Sequence, residues 1–216
     1  LTQAATVRVG LDASGAAVTV PLRDVLPMGT PEDLALGGWD ISSASLADAA
    51  DRAGVLEPDL RRQLRPHTGA MVPLRGAYDP SFIADNQAPR ADHVMPDGWS
   101  KQRRLDALRG DIRDFKAASG VDFVVVVWTA NSERYSEERA GLNDSADALL
   151  GAIARGEGEV SPSTLYAVAA ILEGCPFING SPQNTLVAGA LDLASRHGVA
   201  VVGDDFKSGQ TKMKSV

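Results

Sequence analysis

The stretch Asp122-Phe123-Val124-Val125-Val126-Val127-Trp128 decides the predicted fold. Its five central residues are all apolar, which is typical of a strand buried on both faces in the middle of a parallel sheet. The strand ends abruptly, because the small polar segment Thr129-Ala130-Asn131-Ser132 follows directly. We therefore predict a central strand that delivers polar groups to its carboxyl end.

Helices and further strands alternate after this stretch. We predict helices at about 142–154, 162–173 and 185–197, the second with Ser161 as N-cap and Pro162 in its first turn. Strands are predicted at 176–179 and 199–202, the latter buried on both faces. This order implies right-handed crossovers and a parallel sheet, and hence a doubly wound α/β architecture.

The first half of the chain is less regular. Residues 4–22 predict two short strands around a turn, and 34–42 predict a strand that ends near Asp40. Small helices are predicted at 46–53, with Ser45 as cap, and at 59–64. Segment 66–100 is rich in Pro and Gly, so we predict that it is irregular, with a short helix at Phe82 and Ile83. A clear helix is predicted at 101–118, ended by Gly120.

Four predicted strands end in clusters of small polar residues, at Asp40, Thr129, Gly180 and Gly203. In an open α/β sheet the carboxyl ends of the strands lie along one edge, where ligands bind. We therefore expect the four clusters to converge on an extended polar ligand such as a nucleotide. No G-x-G-x-x-G loop is present, so a first glycine-rich turn for a dinucleotide would have to precede Leu1.

The closing segment 203–212 carries two adjacent carboxylates and then Lys-Ser-Gly-Gln-Thr-Lys. Backbone N–H groups, hydroxyls and ammonium groups at the end of a strand would suit a phosphate. A polar turn that leads into a surface helix is the alternative interpretation.

Composition excludes several classes of function. The chain has 21 Lys and Arg against 28 Asp and Glu, a net charge of −7, which favours neither a nucleic-acid surface nor a membrane-surface role. The single cysteine, Cys175, excludes an internal disulfide and fits a reducing compartment. The first residue is Leu1, and a helical pattern starts just before Val216, so both ends look cut.

Other chemistries lack candidates. The three histidines lie far apart without the spacing of metal ligands, and no G-x-S-x-G elbow offers a nucleophile for acyl transfer. Asp204 and Asp205 could bind a divalent ion, but adjacent strand residues point to opposite faces. We therefore predict no metal site.

Several segments carry a resemblance to a known family. GGWDISS at 37–43, VVVVWTANSERY at 124–135, PFINGSPQNT at 176–185 and GDDFKSGQTKMKSV at 203–216 resemble the inositol-3-phosphate synthase (myo-inositol-1-phosphate synthase) family, in its eukaryotic form. The likeness runs through essentially all 216 residues in order.

The resemblance implies a Rossmann-type NAD-binding domain. Residues 1–210 would be an incomplete domain of this type, and 211–216 would begin a helix that leads into a catalytic and tetramerisation domain. The glycine-rich cofactor turn would lie before Leu1 and the main catalytic lysines beyond Val216. We therefore expect the isolated chain to lack synthase activity and to aggregate readily through exposed apolar surface. The resemblance further implies a cytoplasmic protein that is a homotetramer at full length.

The activity implied is the NAD-dependent isomerisation of D-glucose 6-phosphate to 1L-myo-inositol 1-phosphate. C5 is oxidised, C6 is deprotonated and attacks C1 in an aldol closure, and the C5 ketone is reduced again. This is the first step of inositol and phosphatidylinositol biosynthesis. An NAD-dependent sugar-phosphate dehydrogenase and a non-catalytic binding relative remain as alternatives, and intact site residues argue against the second.

The resemblance also assigns site residues. Catalytic candidates are Asp205, Lys207 and Lys212, where Asp205 would lie at the meeting of nicotinamide and sugar. The cofactor would be bordered by Asp40, Gly76, Ala77, Gln87, Arg90, Thr129, Ala130, Asn131, Ser132, Gly180, Ser181, Asp205 and Ser208, and the substrate phosphate by Ser208, Gly209, Gln210 and Thr211.

Overall fold

The computed structural model describes residues 6–26, 29 and 31–206. The chain divides into two compact units, 1–36 and 37–216. The first contains the predicted hairpin: β1 (Thr6–Leu11) pairs antiparallel with β2 (Ala17–Pro21). Short 3₁₀ helices follow at Leu22–Asp24 and Pro31–Asp33.

The second unit contains two parallel sheets and six α-helices among its described residues. A two-stranded sheet pairs β3 (Trp39–Asp40) with β4 (Leu74–Arg75). A three-stranded sheet has the order β5 (Val126–Trp128), β6 (Phe177–Asn179) and β7 (Val201–Val202). The predicted α/β class with parallel strands is therefore confirmed.

The helices are α1 (Leu46–Ala53), α2 (Pro58–Thr68), α3 (Lys101–Ser119), α4 (Ala146–Arg155), α5 (Pro162–Leu172) and α6 (Ala188–His197). Ser45 and Ser161 cap α1 and α5 as predicted, because each side chain accepts a hydrogen bond from the backbone N–H three residues on. Gly120 ends α3 with φ of 65°, a left-handed conformation that glycine adopts without steric cost.

The three-stranded sheet has one buried and one open face. Val126, Phe177 and Val201 are paired in register, and they face the helices: Phe177 is fully buried. On the opposite face Val127 is 44% exposed and Val202 is 61% exposed. The prediction that the strands at 122–128 and 199–202 are buried on both faces is therefore wrong for the described residues. β6, and not β5, is the central strand.

Helix α5 forms the middle of the core. Residues 162–171 are all buried, and α5 packs against α3, α6, β5 and β6. The sequence predicts this only in part, since Ser163, Thr164 and Tyr166 are polar residues in a buried helix. Their hydroxyl groups all have hydrogen-bonding partners, as burial of a polar group requires.

Several predicted boundaries were wrong. The strand predicted at 34–42 is limited to Trp39–Asp40, and the strand at 122–128 is limited to Val126–Trp128. The short helix predicted at Phe82 is absent from the described residues, and a 3₁₀ helix occupies Asp85–Arg90 instead. Helix α2 runs to Thr68, four residues further than predicted, although it contains Pro66.

Candidate functional site

The ends of β5, β6 and β7 are joined by direct hydrogen bonds. The Gly180 N–H donates to the Trp128 carbonyl (3.0 Å), and Ser181 Oγ donates to the Ala130 carbonyl (2.9 Å). The Phe206 N–H donates to the Gly180 carbonyl (3.2 Å). Three of the four predicted polar clusters therefore meet at one edge of the sheet, where Thr129, Ala130, Asn131 and Ser132 are exposed.

The fourth cluster lies in the other sheet. Asp40 ends β3, which pairs with β4 and not with β5, β6 or β7, so the prediction that all four strands share one sheet was wrong. Tyr166 connects the two sheets: its ring centroid lies 5.2 Å from that of Trp39 and 5.5 Å from that of Trp128. Each tryptophan directly precedes a site candidate, Asp40 or Thr129.

Asp40 and Gly76 are in close backbone contact. The Gly76 N–H donates to the Asp40 carbonyl (3.0 Å), and a Cβ on Gly76 would lie 3.0 Å from the Asp40 carbonyl carbon. The neighbouring Ala77 N–H donates to the Tyr166 hydroxyl (2.8 Å). Asp40 Oδ1 accepts from the Ser42 N–H (2.9 Å), and the residue is exposed. These contacts bring Asp40, Gly76 and Ala77 together.

Gln87 and Arg90 lie on the 3₁₀ helix Asp85–Arg90. Arg90 donates to Gln87 Oε1 (3.3 Å), and Gln87 Nε2 donates to Asn86 Oδ1 (2.9 Å). In the described part of the chain these side-chain bonds stay within the 3₁₀ helix. The structure therefore brings this pair together, but among the described residues no side-chain hydrogen bond joins the pair to the strand ends.

Asp204 and Asp205 follow β7. Asp204 Oδ1 accepts from Asn179 Nδ2 (2.7 Å). Asp205 is half-buried and adopts a left-handed backbone conformation with φ of 75°, which is rare for a residue other than glycine. The remaining candidates of the closing segment, Lys207, Ser208, Gly209, Gln210, Thr211 and Lys212, lie outside the described residues.

Asn179 is a site residue that the sequence reasoning missed. It ends the central strand β6 and is 1% exposed. Its Nδ2 donates to the Gln183 carbonyl (3.0 Å) as well as to Asp204, and its Oδ1 accepts from the Ser181 N–H (3.1 Å). One amide thus fixes two strand-end segments. A polar residue in a short buried strand was the signal available in the sequence.

Glu133 was missed as well. It directly follows Ser132 and is 5% exposed, although its neighbours Ser132 and Arg134 are exposed. Its carboxylate accepts from the Ser163 N–H at the start of α5 (3.1 and 3.2 Å to the two oxygens) and from Ser163 Oγ (2.6 Å). Burial raises the pKa of Glu133 to about 7, against the hydrogen bonds from Ser163, which lower it.

The hydrogen-bonding groups at the strand ends fit parts of a dinucleotide. Asp40 supplies an exposed carboxylate at the end of a strand, the position that holds ribose hydroxyls in dinucleotide-binding sheets. Thr129, Asn131 and Ser132 supply exposed hydroxyl and amide groups. The start of α5, which could otherwise attract a phosphate, is occupied by Glu133. These groups suit the ribose and amide parts of NAD.

Within residues 6–26, 29 and 31–206, no group of three or more His, Cys, Asp or Glu side chains is placed to hold a metal ion. Within the same residues, no helix has both the length and the apolar character required to cross a membrane.

The fold and the strand-end groups define an NAD-binding α/β domain. A family model described as myo-inositol-1-phosphate synthase, an NAD-binding family, matches residues 1–209. The chain therefore belongs to the myo-inositol-1-phosphate synthase family, and the resemblance predicted from the motifs is confirmed. Membership of this family identifies NAD as the cofactor.

Known proteins agree with this assignment. The chain is 58% identical over 216 residues to human inositol-3-phosphate synthase 1 and 55% identical to inositol-3-phosphate synthase of Citrus paradisi. The crystal structure of inositol-3-phosphate synthase from Caenorhabditis elegans superposes with a TM-score of 0.93 at 52% identity. All of this chain is covered in each case, but only 38% of the human protein and 42% of the other two.

Proposed function

We propose that the protein containing this chain is an inositol-3-phosphate synthase, an isomerase that converts D-glucose 6-phosphate to 1L-myo-inositol 1-phosphate. The observation that carries the proposal is an overall identity above 50% to synthases, over a match that covers the whole chain. The chain spans about two fifths of the length of these relatives, so the activity is proposed for the native gene product.

The roles proposed for the described residues follow from their positions. Asp40 would accept hydrogen bonds from ribose hydroxyls, and the close backbone packing of Gly76 against Asp40 would hold that carboxylate in place. Thr129, Ala130, Asn131, Ser132, Gly180 and Ser181 would border the cofactor, since they share one sheet edge. When bound, NAD supplies a hydride acceptor and, once reduced, a hydride donor.

Asp205 would lie where the nicotinamide meets the sugar, because it follows the last strand of the same edge. Its proposed partners in the closing segment, Lys207 and Lys212 for catalysis and Ser208, Gly209, Gln210 and Thr211 for the substrate phosphate, rest on the sequence motif alone. Cations near the reacting carbons would stabilise the negative charge that develops on enolisation. Holding C5 against the nicotinamide is the corresponding requirement for hydride transfer.

The test uses the native gene product with glucose 6-phosphate and a small amount of NAD, and it follows inositol phosphate and NADH together. A synthase forms inositol phosphate far in excess of the NAD supplied, without lasting NADH. Accumulation of NADH in step with consumed sugar would instead identify a sugar-phosphate dehydrogenase. Neither product would be expected from a non-catalytic relative.

We further propose that the native protein is a cytoplasmic homotetramer that acts without nucleic acid or membrane. The net charge of −7 supports the exclusion of a nucleic-acid surface. Light scattering of the purified native protein tests the tetramer directly.

A further inference from the structure

A closed ring of hydrogen bonds lies directly behind the exposed segment 129–132. The Glu133 N–H donates to Gln183 Oε1 (3.4 Å), and Gln183 Nε2 donates to Thr185 Oγ1 (3.3 Å). Thr185 Oγ1 donates to Ser163 Oγ (2.8 Å), which donates to Glu133 Oε2 (2.6 Å). The ring thus returns to the residue from which it started.

The ring is buried and joins three separate parts of the chain. Glu133, Ser163, Gln183 and Thr185 are exposed by 5%, 0%, 1% and 0%. They belong to the segment after β5, the start of α5 and the segment after β6. Since an unsatisfied buried polar group is costly, the loss of one member penalises the whole ring.

The hydrogen bonds of the ring are all donated in the same direction, from the Glu133 N–H round to the Glu133 carboxylate, which is the last acceptor. An ionised carboxylate only accepts, and it also takes the Ser163 N–H at the start of the 11-residue helix α5, where the helix dipole favours negative charge. Protonation would turn one of the two oxygens into a donor and leave the other as an acceptor, which would weaken the contact of both oxygens with the Ser163 N–H. The hydrogen bonds of the ring therefore favour the ionised form, whereas burial favours the protonated form.

From this geometry we infer that Glu133 is a positioning residue for the cofactor: through Ser163, Thr185 and Gln183 it fixes the segment 129–132 against the strand ends. The inference rests on the proposed function, in which this segment borders NAD. Glu133 itself is buried behind the segment and acts through its neighbours, so it is not a catalytic residue.

The test compares NAD affinity of the native gene product, measured by calorimetry, with that of two variants. Glu133→Gln keeps the shape and removes the charge, and Thr185→Val breaks the ring with a side chain of equal size and no change of charge. We expect each to weaken NAD binding by about tenfold, the usual coupling within a hydrogen-bonded network.

The matched control is Asp192→Asn. Asp192 also caps a helix, because its carboxylate accepts from the Ala146 N–H at the start of α4 (2.8 Å), but it is not part of the ring. This variant tests whether the loss of any helix-capping carboxylate weakens NAD binding through stability alone. We expect its NAD affinity to remain within about twofold of the wild type.

A pH series supplies a readout that a purely structural role would not change. NAD affinity of the wild type should fall as Glu133 becomes protonated, and Glu133→Gln should show the weak affinity at every pH. Asp79 acts electrostatically on Glu133 and raises the Glu133 pKa further, and the Glu133 charge in turn raises the pKa of Tyr166 on α5.

Three results would overturn the inference. The first is that Thr185→Val, and any Glu133→Gln protein that folds, bind NAD as tightly as the wild type. The second is that Asp192→Asn loses as much NAD affinity as the ring variants. The third is that NAD affinity depends on pH in the same way in the wild type and in Glu133→Gln. An absence of NAD binding by the wild type would overturn the proposed function together with the inference, so the two failures are distinguishable.

Discussion

At the scale of single residues, Glu133 makes the stability of the protein depend on pH. Burial raises the pKa of Glu133 to about 7 in the folded protein, whereas an unfolded chain releases this proton near 4.5. Between these values the folded state holds a proton that the unfolded state has lost. The bound proton therefore stabilises the folded protein: this contribution to the free energy of unfolding is complete below pH 4.5 and is lost as the pH rises through 7.

The expected result is a decline in the free energy of unfolding of up to about 1.4 kcal/mol per pH unit from this one group between pH 4.5 and 7. Urea denaturation of wild type and Glu133→Gln across this range isolates the contribution, because the other groups titrate in both proteins. Parallel curves for the two proteins would contradict the raised pKa.

Asp40 is the residue whose proposed role is tested most simply. Asp40→Asn should weaken NAD binding by about tenfold, because an amide presents one acceptor oxygen to ribose hydroxyls where the carboxylate presents two. Asp59→Asn, which alters an exposed aspartate on α2, is the control of equal charge change. Equal NAD affinities of Asp40→Asn and wild type, measured by calorimetry, would remove Asp40 from the cofactor site.

At the scale of elements, the start of α6 packs tightly on the segment before α4. A Cβ on Gly189 would lie 2.6 Å from the Ser145 carbonyl oxygen and 2.9 Å from that of Asn143. Both are backbone atoms, so they cannot rotate away. Gly189→Ala should therefore destabilise the protein by about 1–3 kcal/mol through overpacking.

Gly110 in α3 provides the control for this substitution. An added Cβ there would meet only the end of the Arg113 side chain, at 4.0 Å. Gly110→Ala should stabilise the protein by up to about 1 kcal/mol, because alanine favours the helix. Denaturation midpoints that move in the same direction for both variants would contradict the packing described for α6.

Local signals predicted the helices well and the sheets poorly. Ser161, Pro162 and Gly120 act on their own backbone, so the limits of α3 and α5 can be read from neighbouring residues. The exposure of Val127 depends on whether another segment covers that face, which the run of valines does not indicate. The pairing of β3 with β4 also depends on a distant segment, because β4 lies in the Pro- and Gly-rich segment 66–100, where the local sequence does not indicate a strand.

The site was predictable where it depends on the ends of strands. Thr129 and Gly203 directly follow apolar runs, and Gly180 directly follows the short strand β6, so the parallel arrangement alone brings them together. The ring around Glu133 could not be predicted, because it needs Glu133, Ser163 and Gln183 from three distant segments to lie side by side. The strand-end clusters alone indicated only an extended polar ligand such as a nucleotide, and the family resemblance of the motifs identified it as NAD.

At the scale of the whole molecule, the proposed synthase reaction requires that the hydride removed from C5 of the sugar returns to the same carbon. In the proposed function, the strand-end site would hold sugar and nicotinamide together, so that oxidation and reduction would occur within one binding event. A dehydrogenase built on the same sheet would instead release the reduced cofactor. The two functions therefore differ in the fate of a single hydrogen atom.

The most direct measurement gives the native gene product glucose 6-phosphate deuterated at C5, together with a small amount of unlabelled NAD. Mass spectrometry then locates the deuterium in the products. We predict that inositol phosphate forms and retains the deuterium. Deuterium that accumulates in reduced cofactor, with an oxidised sugar phosphate as the product, would contradict the account.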